Sequence, residues 1–204
     1  MTERRLLLIV VLAALAWSGI GPYDAATWWM EVAPIFIAVP LLVATAARFP
    51  LTPLAYRLLA VHAIVLLVGG HWTYARVPLG DWVKEAFSLE RNHYDRLGHL
   101  MQGFVPAIVG REILRRCSPL RPGRWLFFVV TSICLAISAC YEFIEWWAAL
   151  IGGEGATEFL GTQGDVWDTQ WDMFLALIGA LLAQLLLARR HDAELAALPS
   201  PPPA

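Results

Sequence analysis

The sequence predicts an all-α protein: a polytopic membrane helical bundle of about six transmembrane helices with both termini cytoplasmic. Three observations carry that expectation. Hydrophobic residues make up 58% of the 204 residues and charged ones 16%, with a mean hydropathy of +0.58. The apolar residues fall in long blocks instead of alternating with polar ones, and the blocks have the ~20-residue length a helix needs to cross a bilayer. Basic residues gather at alternate block ends, the bias that orients a membrane protein.

The first expected span, 6–21, lies in "MTERRLLLIVVLAALAWSG". Its basic start, apolar stretch and Ala14-Leu15-Ala16 also fit a cleaved signal peptide. A retained span is preferred, since multi-span proteins commonly begin this way. The second, 28–47, contains Pro34 and Pro40, which predict a kink. The third is 54–72, and the fourth, 95–115, is the least hydrophobic. Gly98, Gly103, Pro106 and Gly110 give that fourth segment one face suited to close helix packing. The fifth and sixth are 124–150 and 169–188. Residues 1–190 then form a single transmembrane domain, and 191–204, ending in "LPSPPPA", a disordered cytoplasmic tail.

Arg4, Arg5, Arg48, Arg57, Arg111, Arg115, Arg116, Arg121, Arg124, Arg189 and Arg190 fall at one end of the bundle, which the positive-inside rule makes cytoplasmic. Asp24, Glu31, Asp81, Glu85, Glu90, Asp95, Glu154, Glu158, Asp165 and Asp168 fall at the other, against Arg76, Lys84, Arg91 and Arg96. Trp28, Trp29, Trp72, Trp82, Trp146, Trp147, Trp167 and Trp171 also collect there, as interface anchors do. Cys117, Cys134 and Cys140 show no CxxC spacing, so redox and zinc-ribbon chemistry are not indicated. No Walker loop, dinucleotide-binding glycine pattern, HExxH or GxSxG occurs, and no basic surface calls for nucleic acid.

What remains is a set of ionisable residues near the acidic end of three spans. In "YDRLGHLMQG", Asp95 and His99 are four apart and share a helical face, with Gln102 one turn further. In "CYEFIEWW", Glu142 and Glu145 are three apart, with Ser138 beneath them. Asp165, Asp168 and Asp172 follow an i, i+3, i+7 pattern and share a face if the helix begins by Asp165. An acidic residue at the centre of a membrane helix costs about 2.5–3.5 kcal/mol, less near the interface, so something must offset the group. Arg96 follows Asp95 and is expected to point away, leaving too few cations for the acids.

A divalent metal satisfies that count. Asp95, His99, Glu142, Glu145, Asp168 and Asp172 offer hard oxygen donors and one imidazole, a set suited to Mg²⁺, Mn²⁺, Zn²⁺ or Fe²⁺. Plainer readings stand beside this one. Asp165 and Asp168 could be N-terminal helix charges, each worth ~0.3–1 kcal/mol, and Glu142 and Glu145 could face water at the end of their span. His71 and His93 are possible further members, whereas His62 reads as a packed, hydrogen-bonded core histidine and Arg57 as a snorkelling residue.

Through "NHYDRLGHLMQGFVPAIVGREILRR", "YEFIEWWAA" and "FLGTQGDVWDTQWDM", the sequence resembles the YjdF-type inner-membrane proteins, a bacterial family of unknown function, over roughly Trp28 to Leu186. The resemblance implies a polytopic bundle in the bacterial inner membrane and no particular activity. A more distant resemblance is to the VanZ-like membrane proteins, whose pattern is Asp-x3-His, Glu-x2-Gln and Asp-x3-Asn-x2-Gly. Asp95 and His99 match the first, and Glu142 begins the second but Glu145 replaces its Gln. Asp172 and Gly179 match the third, while Ala176 replaces its Asn, so a shared scaffold does not imply a shared mechanism.

The functional expectation is an outward-facing pocket that binds a divalent cation. As an enzyme it would act on an envelope lipid or lipid-linked substrate, with Glu145 or His99 moving the proton. The alternatives are a proton- or cation-coupled transporter and a structural or assembly subunit.

Overall fold

The computed structural model describes residues 2–152 and 162–198, and among them no strand occurs. Among the described residues seven α-helices occur: α1 (Glu3–Ser18), α2 (Ala25–Thr45), α3 (Pro53–Trp72), α4 (Pro78–Ala86), α5 (Tyr94–Cys117), α6 (Arg124–Gly152) and α7 (Asp168–Ala196). A 3₁₀ turn, Tyr74–Arg76, joins α3 to α4. Each of the six expected spans is a helix, five with ends shifted by at most three residues and the last extended at its C-terminal end to Ala196. Four of them, α2, α3, α6 and α7, are long and apolar enough to cross a membrane by length and composition. The 16 residues of α1 extend only ~24 Å, and α5 carries too many polar side chains. α4 was not expected from the sequence. At nine residues it is too short to span, and it leaves Leu79 and Trp82 exposed beside Asp81, Lys84 and Glu85, the make-up of an interfacial helix.

Local chemistry sets several helix starts. Asp24 accepts from Thr27 N at 2.7 Å and begins α2; that bond holds the carboxyl below its ordinary range. Thr52 caps α3 through Ala55 N, with Pro53 in the first turn, where its missing N–H costs nothing. Pro34 and Pro40 lie inside α2 without ending it. Thr73, at φ 52°, turns the chain so that Tyr74 folds back on Gly69 and Gly98.

The closest packing is between α5 and α7. A Cβ on Gly103 would come within 1.8 Å of Ala176 O, and one on Gly179 within 2.1 Å of Leu100 O. The two backbones touch there, as small residues allow in membrane bundles. Ala107, Ile108, Leu126, Val130, Ala180 and Ala183 continue this core toward Leu54 and Ala55 of α3. Val11, Trp28, Val32, Ile35 and Leu67 form a second core joining α1, α2 and α3. Ile37, Leu41, Phe128, Leu150 and Leu185 face outward, which a lipid surrounding accepts without penalty.

At the arginine-rich end, three helix termini are tied together by a buried polar cluster. Glu112 on α5 accepts from Thr52 N and Oγ1 and from Arg116 Nη1, and meets His191 Nε2 at 3.2 Å. Arg111 contacts His191 Nδ1 and pairs with Asp192, and Leu54 N donates to Glu194. α7 therefore runs six residues past the expected domain boundary at 190: His191 is fully buried, and Asp192 and Glu194 belong to the bundle. The rest of the expected tail, 199–204, and the expected outer acids Glu154 and Glu158 lie outside the described residues.

Candidate functional site

At the opposite end, α5, α6 and α7 bring their acidic faces together. His99, 6% exposed, is at the centre. Its Nε2 is 3.5 Å from Asp95 Oδ1 and 3.7 Å from Asp172 Oδ2. Its Nδ1 lies 3.3 Å from Gln102 Oε1 and 3.9 Å from Glu142 Oε1. The helical spacings explain this: Asp95 and His99 sit one turn apart on α5, while Glu142 and Glu145 share a face of α6. Two overlapping groups result, Asp95 with His99 and Asp172, and His99 with Glu142 and Glu145; within each, the ligand atoms lie within 4.8 Å of one another. Asp172 and Glu142 are almost wholly buried, and Asp172 Oδ1, Glu142 Oε1 and Ser138 Oγ have no hydrogen-bond partner among the described residues. A buried carboxylate oxygen left this way is costly unless a cation or proton meets it.

Asp168 departs from the expected set. It is buried, but its Oδ1 accepts from Arg91 Nη1 at 2.5 Å and it belongs to neither group. The helix begins at Asp168, so Asp165 lies ahead of it in a turn and off the shared face. Asp165 accepts from Trp167 N at 2.9 Å and pairs with Arg96 at 2.8 Å and Arg91 at 3.3 Å. That backbone bond, with the two guanidinium groups, holds its carboxyl below its ordinary range. The expectation that arginines are too few is thus half corrected. Arg91, from the loop before α5, is buried and neutralises the outer pair, and Arg96 swings across to Asp165 and packs over Trp171. Among the described residues the inner acids, Asp95, Asp172, Glu142 and Glu145, gather around His99, with Asp95 4.0 Å from Arg91.

Sequence reasoning missed Glu31. It is a buried acid on α2, accepting from Tyr141 Oη at 3.2 Å and within electrostatic reach of Asp95 and His99. A fourth helix therefore contributes an acid; its only signal was a Glu two turns inside an apolar segment. Gln163 was missed as well: its side chain makes both hydrogen bonds to the Asn92 backbone, fixing the turn before α7 against the start of α5. Asn92 in turn donates to Val77 O and Asp81.

The other candidates lie outside the cluster. His71 Nδ1 is 2.9 Å from Ser18 O and its ring stacks on Trp17, a structural role. His93 precedes α5, where partial burial and the nearby Arg96 and Arg91 lower its pKa. His62 Nε2 is buried with no partner, unlike the hydrogen-bonded histidine expected. Trp28 is not an interface anchor: it is buried and donates to Ser18 Oγ at 3.1 Å. Trp29, Trp82, Trp146, Trp147, Trp167 and Trp171 are exposed, as anchors should be.

Long apolar helices with ionisable side chains gathered at one end define a multi-pass membrane protein. The chain belongs to the DUF2238 family, described as predicted membrane proteins, whose family model matches residues 3–193. It is 57% identical over 181 residues to "Inner membrane protein YjdF" of Escherichia coli (strain K12), across 89% of this chain and 87% of that protein. No solved structure matches it. The inner-membrane family expected from the three motifs is thus the family found, and the match reaches beyond both ends of the expected stretch.

Proposed function

We propose that the Asp95–His99–Asp172 group, flanked by Glu142 and Glu145, is an outward-facing site for one divalent cation. The observation that carries this reading is the convergence of Asp95 Oδ1 and Asp172 Oδ2 on His99 Nε2 at a buried position, where Asp172 Oδ1 has no hydrogen-bond partner among the described residues. Two ligand atoms each ~2.0–2.2 Å from one ion are at most about 4 Å apart, and the Nε2 distances of 3.5 and 3.7 Å lie inside that limit. Ligation through Nε2 leaves Nδ1–H to donate to Gln102 Oε1, 3.3 Å away, the arrangement that fixes a ligating imidazole. Arg91 and Asp168 are then positioning groups that hold the turn before α7 over the site.

Bound there, a divalent cation would polarise a phosphoryl or carbonyl oxygen of an envelope lipid or lipid-linked substrate. His99 serves as a ligand in this reading, and Glu145, half-buried and grouped with His99 and Glu142, moves the proton. A relay for coupled transport is less well supported, because the backbone contacts of Gly103 with Ala176 and Gly179 with Leu100 pack α5 tightly on α7 next to the cluster.

We also infer six spans, with α1 and α5 completing the four apolar ones and both termini cytoplasmic. The support is that the ends bearing Arg4, Arg5, Arg111, Arg115, Arg116 and Arg190 come together at one side of the bundle. In Cys140→Ser, made because Cys140 is exposed as well, Cys117, exposed at that side, should react with an impermeant maleimide only after the membrane is opened. Labelling in intact cells would reverse the orientation.

The cation site is tested by thermal unfolding in mild detergent with Mg²⁺, Mn²⁺ or Zn²⁺. A ligand that binds the folded state raises Tm with concentration, and the rise should vanish in Asp172→Asn. No rise with any of the three ions, or an equal rise in the variant, contradicts the reading.

A further inference from the structure

We propose that a cleft between α1 and α2, floored by α3 and remote from the acidic cluster, binds an acidic diacyl phospholipid. The phosphate lies against Arg4 and Arg5 and the acyl chains lie in the cleft. The cleft encloses about 650 Å³, within the range of ordinary ligand sites. α1 and α2 are joined by a short connection and held at that end by the Trp28–Ser18 hydrogen bond. Its lining runs from Val11 and Ile35 to Thr2, Arg4 and Arg5 at the arginine-rich end. Ala38, Ala46 and Ala63 stand where larger side chains would fill it.

Apolar walls do not select an occupant inside a bilayer, because lipid tails are as apolar as the side chains they meet. The mouth makes the selection, and its chemistry is anion-binding. Thr2 makes no side-chain cap, so the first-turn N–H groups of α1 lack a side-chain acceptor at the positive end of the helix dipole. The one acid of that turn, Glu3, is occupied by a two-bond pair with Arg57. Arg4 and Arg5 are exposed and have no carboxylate partner among the described residues; Arg4 rests over the Tyr56 ring, 5.8 Å from its centroid. Two arginines and a helix N-terminus above an apolar cleft match a phosphodiester carrying two acyl chains. Basic pockets between membrane helices bind acidic lipid headgroups in this way.

The test uses the full chain in mild detergent, with native mass spectrometry after adding dioleoyl phosphatidylglycerol or dioleoyl phosphatidylcholine. The acidic lipid should be retained in preference to the zwitterionic one. Arg4→Gln with Arg5→Gln should cut its retention roughly tenfold or more and remove the preference. Arg121→Gln, an exposed basic residue outside the cleft, should change nothing. Ala38→Phe should lower retention of both lipids by filling the cleft, with Ala63→Phe as the substitute if the first does not fold. Equal retention of the two lipids, an unchanged preference in the double arginine variant, or an equal loss with Arg121→Gln overturns the proposal. So does a dimer that persists in excess phosphatidylglycerol, since a second copy would then occupy the cleft.

Discussion

Arg91 Nη1 reaches Asp168 Oδ1 at 2.5 Å, joining the loop ahead of α5 to the first residue of α7, with both side chains more than nine-tenths buried. This pair divides the acidic end into an outer layer neutralised by arginine and an inner layer around His99 that is not.

The division predicts different consequences for two neighbouring aspartates. Arg91→Gln strands Asp168 in a buried position and should destabilise the protein by about 3–5 kcal/mol, as breaking one side of a buried pair does. Adding Asp168→Asn should recover part of the loss. Asp168→Asn alone should lower Tm yet retain the cation-induced rise in Tm, whereas Asp172→Asn should abolish that rise. Thermal unfolding of the four proteins with and without Mn²⁺ makes the comparison, and loss of the cation effect in Asp168→Asn would place Asp168 among the ligands.

Gly103→Ala and Gly179→Ala should each separate α5 from α7, because the added Cβ meets backbone and not a movable side chain. Overpacking of this kind costs about 1–3 kcal/mol or more. It should also weaken cation binding, since Asp95 and His99 are carried by one helix and Asp172 by the other. Gly110→Ala, where nothing lies within 4 Å, is the matched control and should leave both properties unchanged.

Asp165 gives the pH dependence. Its pKa is lowered from an ordinary 3.8, first by Trp167 N–H and then by Arg91 and Arg96. A depressed carboxyl stabilises the fold fully above its unfolded pKa, and the contribution is lost as pH falls through the lower folded value. The parent should therefore be more stable than Asp165→Asn near neutrality, and the two Tm curves should converge only below about pH 4. Curves that stay parallel into strong acid would mean that the Asp165 charge contributes nothing.

The helices were legible because their apolar blocks have span length, and the inner cluster because Asp95/His99 and Glu142/Glu145 are spaced by one turn. Spacing within a helix cannot show what a loop delivers. Arg91 lies before α5, and Asp165 lies before α7 in a turn where Gln163 takes a positive φ, so the outer ion pairs were invisible to helical geometry. Arg96 was assigned by helix face alone, yet its partner sits off the helix. Glu31 stands by itself on α2, and only the packing of α6 brings Tyr141 to it. The nine-residue α4 is below the length at which periodicity is decisive. His191 and Glu194 looked like the start of a polar tail because their partners, Glu112 and the α3 N-terminus, are more than 70 residues away in sequence.

The most direct test of the cation site is the metal content of the protein purified in mild detergent, measured by mass spectrometry beside Asp172→Asn and Glu142→Gln. About one equivalent of a divalent metal per chain in the parent, lost in Asp172→Asn and reduced in Glu142→Gln while both variants stay folded, is the predicted result. A parent free of metal that gains none on incubation with Mg²⁺, Mn²⁺, Zn²⁺ or Fe²⁺, with variants of unchanged thermal stability, would contradict it.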